Sequence, residues 1–223
     1  MIMQRSYFAL LIALMLGLTS CFEVTEEVNM NADGSGTARI TLDASQSKVN
    51  LANFMNMKEF QGQKLPTKAE INREMDKLLA AVKSHKGMSN VTMERDFDDF
   101  RFVVAGDFDN LETLNRLTYH IANTLNDKVR IPQNIKHFSG SAGTFERHFD
   151  YGIPSNADQQ IDPMARGVLT QATYVSVYRF KQPVRAMSND DAKLSRSKKA
   201  VFMKHNLLEI VTNKKSLANT ISF

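Results

Sequence analysis

Apolar and polar residues alternate in the stretch that follows residue 21, and this alternation predicts a β-hairpin. From Phe22 to Met30 the even-numbered positions are apolar except for Glu26, and the odd-numbered positions are polar. A period of two is typical of a half-buried strand. The turn-forming run Asn-Ala-Asp-Gly-Ser-Gly follows at residues 31–36, and the alternation resumes over residues 38–42. The pattern predicts two antiparallel strands joined by this turn.

Three later stretches carry apolar residues at steps of three and four, the spacing of one face of an α-helix. They are residues 43–60, 71–82 and 111–125. Thr67 and Glu70 form a capping box ahead of the second stretch. Asn110 is a favourable N-cap for the third. The chain therefore predicts three helices of useful length.

The remaining alternating stretches complete an α+β pattern. Residues 88–95 and 100–108 form a predicted strand pair around an acidic turn, and residues 174–180, with large side chains on both faces, predict an interior strand. Shorter predicted elements are strands at 129–131, 144–150, 200–203 and 217–223 and helices at 164–170 and 207–211. No repeat or linker divides the chain, so we expect residues 21–223 to form a single α+β domain. It should be a mainly antiparallel sheet built from hairpins, with two or three packed helices.

The first 20 residues have the pattern of a secretory signal peptide. Arg5 is the single charged residue ahead of an uncharged, apolar stretch from Tyr7 to Leu18. A stretch of this length fits a signal peptide and is shorter than the ~20 residues that a helix needs to span a bilayer. We expect residues 1–20 to be removed on export.

The sequence Leu18-Thr19-Ser20-Cys21 resembles the lipobox of bacterial lipoproteins. The resemblance implies cleavage between Ser20 and Cys21, a diacylglyceryl group on the Cys21 thiol, and an acyl chain such as palmitate on the new amine. Each buried methylene contributes about 0.8 kcal/mol, so two or three chains form a durable anchor. Cys21 is the only cysteine, which excludes an intramolecular disulfide. The alternatives are a signal peptide cleaved beside a chance cysteine, or a buried free thiol.

Composition limits the classes of partner. Apolar residues make up 43% of the 223 residues, enough for a sizeable core. The formal charge is +4 with Arg5 included, so +3 without it, and this dispersed surplus does not favour a nucleic-acid partner. Twelve methionines and fourteen phenylalanines with no tryptophan indicate an adaptable core. Such side chains either fill a core or line a cavity for an acyl chain.

Several stretches resemble a group of bacterial envelope lipoproteins and, more loosely, the LppM-like lipoproteins. The lipobox is joined directly to Val-Thr-Glu-Glu-Val at residues 24–28 and then to the N-x-D-G-S-G turn. Later, Tyr-Val-Ser-Val at residues 174–177 precedes Pro183-Val184 and a strand segment within residues 195–203. The resemblance implies an α+β domain on a lipid anchor that binds a lipid or another envelope component. It assigns no active-site residue in this chain.

No set of side chains has the spacing of a known catalytic or metal site. The five histidines contain no pair at ligand spacing, and we expect them at the surface or at helix caps. They are His85, His120, His137, His148 and His205. The run Ser-Gly-Ser-Ala-Gly at residues 139–143 differs from the G-x-S-x-G nucleophile motif, and it falls in a stretch predicted to be a polar loop. Catalysis is therefore not expected there.

Two polar turns offer oxygen atoms of the kind that bind Ca²⁺. They contain Asn31, Asp33 and Ser35, and Asp96, Asp98 and Asp99. Neither has the twelve-residue loop with a distal glutamate, and the turn-forming tendency of these side chains explains both. Gly34 and Gly36 do not precede a helix, so no phosphate site is expected. The sequence predicts no metal and no cofactor.

These observations favour a non-enzymatic, lipid-anchored envelope protein that acts as a binding or assembly module. Its expected partners are the membrane, through acyl chains on Cys21, and a hydrophobic ligand or another envelope protein. Phe22 stands where some lipoproteins retained at the inner membrane carry Asp, so we expect the outer membrane, facing the periplasm or the cell surface. The alternative function is an envelope hydrolase whose site has no recognisable motif.

Overall fold

The computed structural model describes residues 22–57, 59–60, 63–125 and 135–223. The expected signal peptide, Ser20 and Cys21, and the strand expected at residues 129–131 lie outside these residues, so they remain predictions. No helix within the described residues is long and apolar enough to cross a membrane.

The described residues form thirteen strands and six α-helices. In chain order the strands are β1 (Glu23–Met30), β2 (Gly36–Asp43), β3 (Glu59–Phe60), β4 (Gln63–Lys64), β5 (Met88–Asp96), β6 (Arg101–Phe108), β7 (Phe138–Ser141), β8 (Thr144–Arg147), β9 (Thr173–Arg179), β10 (Ala186–Met187), β11 (Lys193–Leu194), β12 (Ala200–Asn206) and β13 (Asn219–Ser222). The helices are α1 (Lys48–Met55), α2 (Lys68–Ser84), α3 (Leu111–Leu125), α4 (Ala157–Gln160), α5 (Pro163–Gln171) and α6 (Leu207–Val211), with a 3₁₀ turn (Ser45–Ser47) ahead of α1.

Two sheets contain eleven of these strands, and the predicted α+β fold is confirmed. The larger sheet has the order β11-β12-β9-β1-β2-β6-β5, so β1 is its central strand. The smaller sheet has the order β10-β13-β8-β7, and β3 and β4 form a separate ribbon. Every pair is antiparallel except β1 and β9, which run parallel. The strand predicted at residues 217–223 exists as β13, and it belongs to the smaller sheet.

Two helix starts follow from capping side chains, as predicted. The Thr67 side chain accepts from the Glu70 backbone N–H, and the Glu70 carboxylate accepts from the Thr67 backbone N–H at 2.8 Å. At the start of α3, the side-chain oxygen of Asn110 accepts from the Thr113 backbone N–H at 3.0 Å. Each bond pairs a backbone donor that the first turn of a helix leaves without a partner.

The helix predicted over residues 43–60 is much shorter in the structure. Only α1 is α-helical, after the 3₁₀ turn, and the backbone N–H groups of Asn56 and Met57 bond back to Asn53 and Phe54 to close it. Asparagine is a poor helix former, and this stretch repeats it. Phe60, which was expected on the helix face, belongs to β3 instead.

One face of the larger sheet carries the core. On β1 this face holds the even-numbered residues, and Val28 and Met30 are buried there. The buried cluster joins them to residues of α3 and of both sheets, including Leu114, Phe138, Phe145, Tyr178, Val201 and Ile221. The smaller sheet and α3 thus cover this face of the larger one.

The larger sheet has two ends with different neighbours. We call the end where β1 begins the proximal end, because residue 22 lies there. Strand register places Asp43, Arg101 and Thr173 at the same end as Glu23. The distal end carries the β1–β2 turn, the segment after α2 and the start of α3, where the Asp109 backbone N–H donates to Gly87.

Candidate functional site

A buried ion pair joins the two sheets. Glu26, on the central strand β1, faces Arg147 on β8 of the smaller sheet, with Arg147 Nε 3.5 Å from Glu26 Oε1. Only 6% of the Arg147 side chain and 12% of the Glu26 side chain are exposed. Charges so far out of water need partners on every side.

Two tyrosines of β9 complete the surroundings of the carboxylate. Tyr174 Oη donates to Glu26 Oε2 and Tyr178 Oη donates to Glu26 Oε1, each at 2.7 Å. Tyr174 and Tyr178 are four residues apart on one strand, so both side chains point to the same face. Burial, together with the Glu26 charge, raises the pKa of both phenols well above the usual value. Both therefore stay protonated and keep donating.

The guanidinium has its own set of partners. Arg147 Nη1 donates to Tyr151 Oη at 2.7 Å and to the His148 carbonyl at 2.6 Å, and the group lies 5.1 Å from the Phe138 ring centroid. Burial works against its charge, but the Glu26 carboxylate together with Tyr178, Tyr174 and Tyr151 outweighs this and holds the pKa of Arg147 above its usual value. We call Glu26, Arg147, Tyr151, Tyr174 and Tyr178 the Glu26–Arg147 cluster.

A neutral histidine lies against this cluster. His137 Nδ1 is 2.7 Å from Tyr151 Oη, and the ring is buried. Burial and the positive charge of Arg147 lower the pKa of His137 to about 4, although Glu26 acts in the opposite direction. The Asn115 side chain fixes the backbone here, because its oxygen accepts from the His137 and Phe138 N–H groups.

Beside the cluster, the same face of the larger sheet is left open. Strand register places Ile40 opposite Glu26 and Leu42 opposite Val24, with Val104 and Phe102 next to them on β6. Ile40 is 45% exposed and Leu42 is 37% exposed, although both point to the core face of the sheet. We call Val24, Ile40, Leu42, Phe102 and Val104 the apolar strip. It lies in the proximal half of the sheet.

A cavity of about 580 Å³ opens at the distal end. Its walls come from the β1–β2 turn, the first residues of α3, the β7–β8 hairpin and the C-terminal Phe223. Half of the eighteen lining residues are polar, among them Asp33, Glu112, Lys136 and Ser139. The lining is therefore mixed, because apolar side chains such as Met30, Leu111 and Phe138 stand beside the polar ones.

A serine and a histidine meet on the β7–β8 hairpin. Ser139 Oγ lies 2.7 Å from His148 Nε2 and donates to Glu146 Oε2 at 2.7 Å. The expectation of a polar loop at residues 139–143 is wrong for residues 139–141, which belong to strand β7. Both partners contact the same hydroxyl. Among the described residues no carboxylate is hydrogen-bonded to His148 Nδ1, which is the contact that orients the histidine of a catalytic triad. Of the three residues, only Ser139 lines the cavity.

The predicted turn chemistry is present in both acidic turns. Asp33 Oδ1 accepts from the backbone and the hydroxyl of Ser35, and Asp96 Oδ1 accepts from the backbone N–H groups of Asp98 and Asp99. Within the described residues, no group of three or more His, Cys, Asp or Glu side chains is arranged to hold a metal ion.

The expectation that the histidines are at the surface or at helix caps is only partly correct. His85 is the C-cap of α2, and His120 is exposed. His137, in the bend before β7, and His205, on the core face of β12, are both buried. Neither Nε2 atom has a hydrogen-bond partner among the described residues.

Sequence reasoning did not find the Glu26–Arg147 cluster, although a signal was present. Glu26 is the one charged residue on the apolar parity of β1. A charge at an inward position needs a buried partner, and Arg147 lies in a predicted strand. The partner itself could not be identified, because the strand spacing of one segment says nothing about which distant segment covers it.

No protein-family model matches this chain, and no curated protein matches it in sequence. Among solved structures, the NMR structure of the folded domain of Mycobacterium tuberculosis LppM is similar over 90% of this chain and 87% of that chain. The TM-score is 0.43 and the sequence identity is 9%. LppM belongs to the group that the sequence loosely resembles, but a similarity this low carries no argument about function. Function therefore has to be argued from the residues of this chain.

Removing one member of the buried ion pair is expected to destabilise the protein strongly. Arg147→Met leaves the Glu26 charge without its cation in a nearly dry site, which costs roughly 3–5 kcal/mol of the free energy of unfolding. Urea denaturation measures the loss. Arg179→Met is the matched control, because the 2.6 Å pair of Arg179 with Glu27 is exposed and should contribute less than about 1 kcal/mol.

The double variant Glu26→Gln/Arg147→Met tests whether the charge itself is responsible. Replacing both members of a buried pair is often nearly neutral, so we expect it to recover most of the loss. An Arg147→Met variant no less stable than Arg179→Met would contradict the assignment of a buried, coupled pair.

Acid is expected to weaken the fold through His137. The folded-state pKa of about 4 lies below the ordinary value of 6.5, so the unfolded chain binds the proton more readily between these pH values. The stabilisation is complete above pH 6.5 and is lost as the pH falls to about 4. We expect the free energy of unfolding to fall by about 2 kcal/mol over this window after allowing for solvent screening.

The measurement is urea denaturation at several pH values, with His137→Gln as the control. If the wild type and His137→Gln lose stability in parallel, His137 is not responsible.

Proposed function

We propose that this chain is a lipid-anchored protein of the bacterial envelope that binds a hydrophobic ligand on the apolar strip. In this proposal it is a binding module without catalytic activity. The observation that carries it is the exposure of Ile40 and Leu42 on the core face of the sheet. Their partners on β1 are Glu26 and Val24, which closely follow the expected lipid anchor in the sequence. Exposed apolar side chains that adjoin one another mark a binding surface more often than isolated ones do.

The position of the strip relative to Cys21 supports this proposal. The central strand β1 begins at Glu23, and the Thr173 backbone N–H donates to the Phe22 carbonyl at 2.9 Å. No flexible tether therefore separates residue 21 from the sheet. Val24, the first residue of the strip, follows Cys21 by three positions. An acylated Cys21 would hold the strip next to the membrane, where lipids are the most abundant hydrophobic ligands.

The chemistry of the strip favours an acyl chain over a compact polar ligand. Its side chains are aliphatic or aromatic, and it is bordered on one side by Glu26, whose carboxylate already accepts hydrogen bonds from two tyrosine hydroxyls and forms an ion pair with Arg147. A paired carboxylate offers little to a new polar ligand. Binding would then depend on removing apolar surface from water, which contributes about 25 cal/mol for each Å².

The hydrolase remains the second candidate because Ser139 and His148 are in contact. A hydroxyl beside an imidazole is the minimal pair for nucleophilic catalysis. The binding function is preferred because both the histidine and Glu146 approach Ser139 itself, and neither lies in the cavity wall. For the location we propose the outer membrane, on the basis of Phe22 after the cysteine.

The anchor is tested by the intact mass of the protein purified from native membranes. We expect the loss of residues 1–20 and the gain of a diacylglyceryl and an acyl group, and we expect the Cys21→Ser variant to lack both lipid groups. A product cleaved elsewhere and free of lipid would overturn the anchored function. Labelling of Ser139 by a fluorophosphonate serine probe would instead favour the hydrolase.

The strip is tested by binding of the fluorescent fatty acid cis-parinaric acid to the detergent-solubilised protein. Ile40→Asp places a charge in the strip, and because burying an isoleucine contributes about 1.5–3 kcal/mol, we expect affinity to fall about tenfold or more. Phe202→Asp is the matched control, since Phe202 is also apolar and 37% exposed but lies on the opposite face of the sheet. Equal losses in the two variants, or no binding by the wild type, would count against the strip as the ligand site.

A further inference from the structure

We propose that the proximal end of the domain docks on the bilayer through Val49 and Met57, so that the domain has a fixed orientation on the membrane. This inference rests on the proposed anchor at Cys21. It concerns a different surface from the apolar strip and a different partner, the lipid surface itself.

The first step is the geometry of the anchor. Consecutive Cα atoms are about 3.8 Å apart, so an acylated Cys21 lies one residue from Phe22, which is hydrogen-bonded to β9. The proximal end of the larger sheet must then sit at the membrane surface. Surfaces at the distal end, including the cavity, are on the side away from it.

The second step is the path of the chain after β2. Asp43 ends β2 at the proximal end, and the Ala44 backbone N–H donates to the Phe100 carbonyl at 3.0 Å, which holds the next segment there. The chain returns to the same end at the start of α2, where Lys68 Nζ lies 4.6 Å from the Phe97 ring. Helix α1 and Met57 therefore belong to a segment whose two ends both lie at the proximal end, beside the expected anchor at Cys21.

The third step is the exposure of apolar side chains in this segment. Val49 is 69% exposed and Met57 is 45% exposed, and no residue of α1 is buried. Leu51, Phe54 and Met55 of this eight-residue helix are half-buried, whereas Val49 is left open to water. Contact with a lipid surface would bury Val49 and Met57 and add stabilisation to a helix whose length is marginal by itself.

Charge at this end argues for apolar contact over electrostatic attraction. Lys48 is already paired with Asp99 at 2.9 Å, and the turn formed by Asp96, Asp98 and Asp99 is acidic. An acidic turn gains nothing from anionic headgroups. The contact should therefore be shallow and should form on zwitterionic lipid.

The absence of tryptophan from the sequence gives a clean test. Single-tryptophan variants Val49→Trp and Met57→Trp of the full lipid-bearing protein are reconstituted in phosphatidylcholine vesicles with brominated acyl chains. We expect both to lose most of their fluorescence and to shift to shorter wavelength. Ala32→Trp, in the exposed distal turn, is the control and should keep its emission.

Acylation is checked by intact mass on the same samples, which separates the two proposals. If Cys21 carries lipid but Val49→Trp and Met57→Trp are not quenched, docking is wrong and the anchor stands. Quenching of Ala32→Trp to the same degree would also exclude a fixed orientation. If Cys21 carries no lipid, the anchor is wrong and the docking inference falls with it.

Discussion

The buried ion pair between Glu26 and Arg147 is the interaction on which the rest of the structure depends. It joins the central strand of the larger sheet to the smaller sheet at a point where both side chains are almost out of water. The cost of removing these charges from water is offset only if each has several partners in fixed positions. Tyr174 and Tyr178 of β9 supply two of them. The pair and its two tyrosines therefore connect β8 of the smaller sheet with β1 and β9 of the larger one.

That arrangement divides the core face of the larger sheet into a covered and an open part. The smaller sheet and α3 cover the distal rows, where Val28 and Tyr178 are fully enclosed. Beside Glu26 the cover ends, and Ile40 and Leu42 remain in contact with water. The covered part forms the core, and the open part is the apolar strip on which the proposed ligand would bind. The cavity at the other end is a separate feature, and half of its lining residues are polar.

Much of the local structure was predictable because it depends on neighbouring residues. The hairpin of β1 and β2, the capping box of α2 and the Asn110 cap of α3 each involve residues close in the sequence, and each was confirmed. The shortened α1 shows the limit, since an apolar period of 3.6 was present but the asparagines and the lack of a packing surface ended the helix early. The site was harder to predict, because Glu26 and Tyr178 are 152 positions apart.

The sequence by itself determined the leader pattern, the resemblance of residues 18–21 to a lipobox, the α+β class and the inward parity of β1, since all of these are set by local spacing and composition. Only the tertiary structure decided that β9 pairs in parallel with β1, that Arg147 meets Glu26, that His137 and His205 are buried, and that Ile40 and Leu42 are not. Burial and pairing depend on which distant segment covers each face. Alternation along one strand states which residues share a face, but it cannot state how much of that face another element reaches.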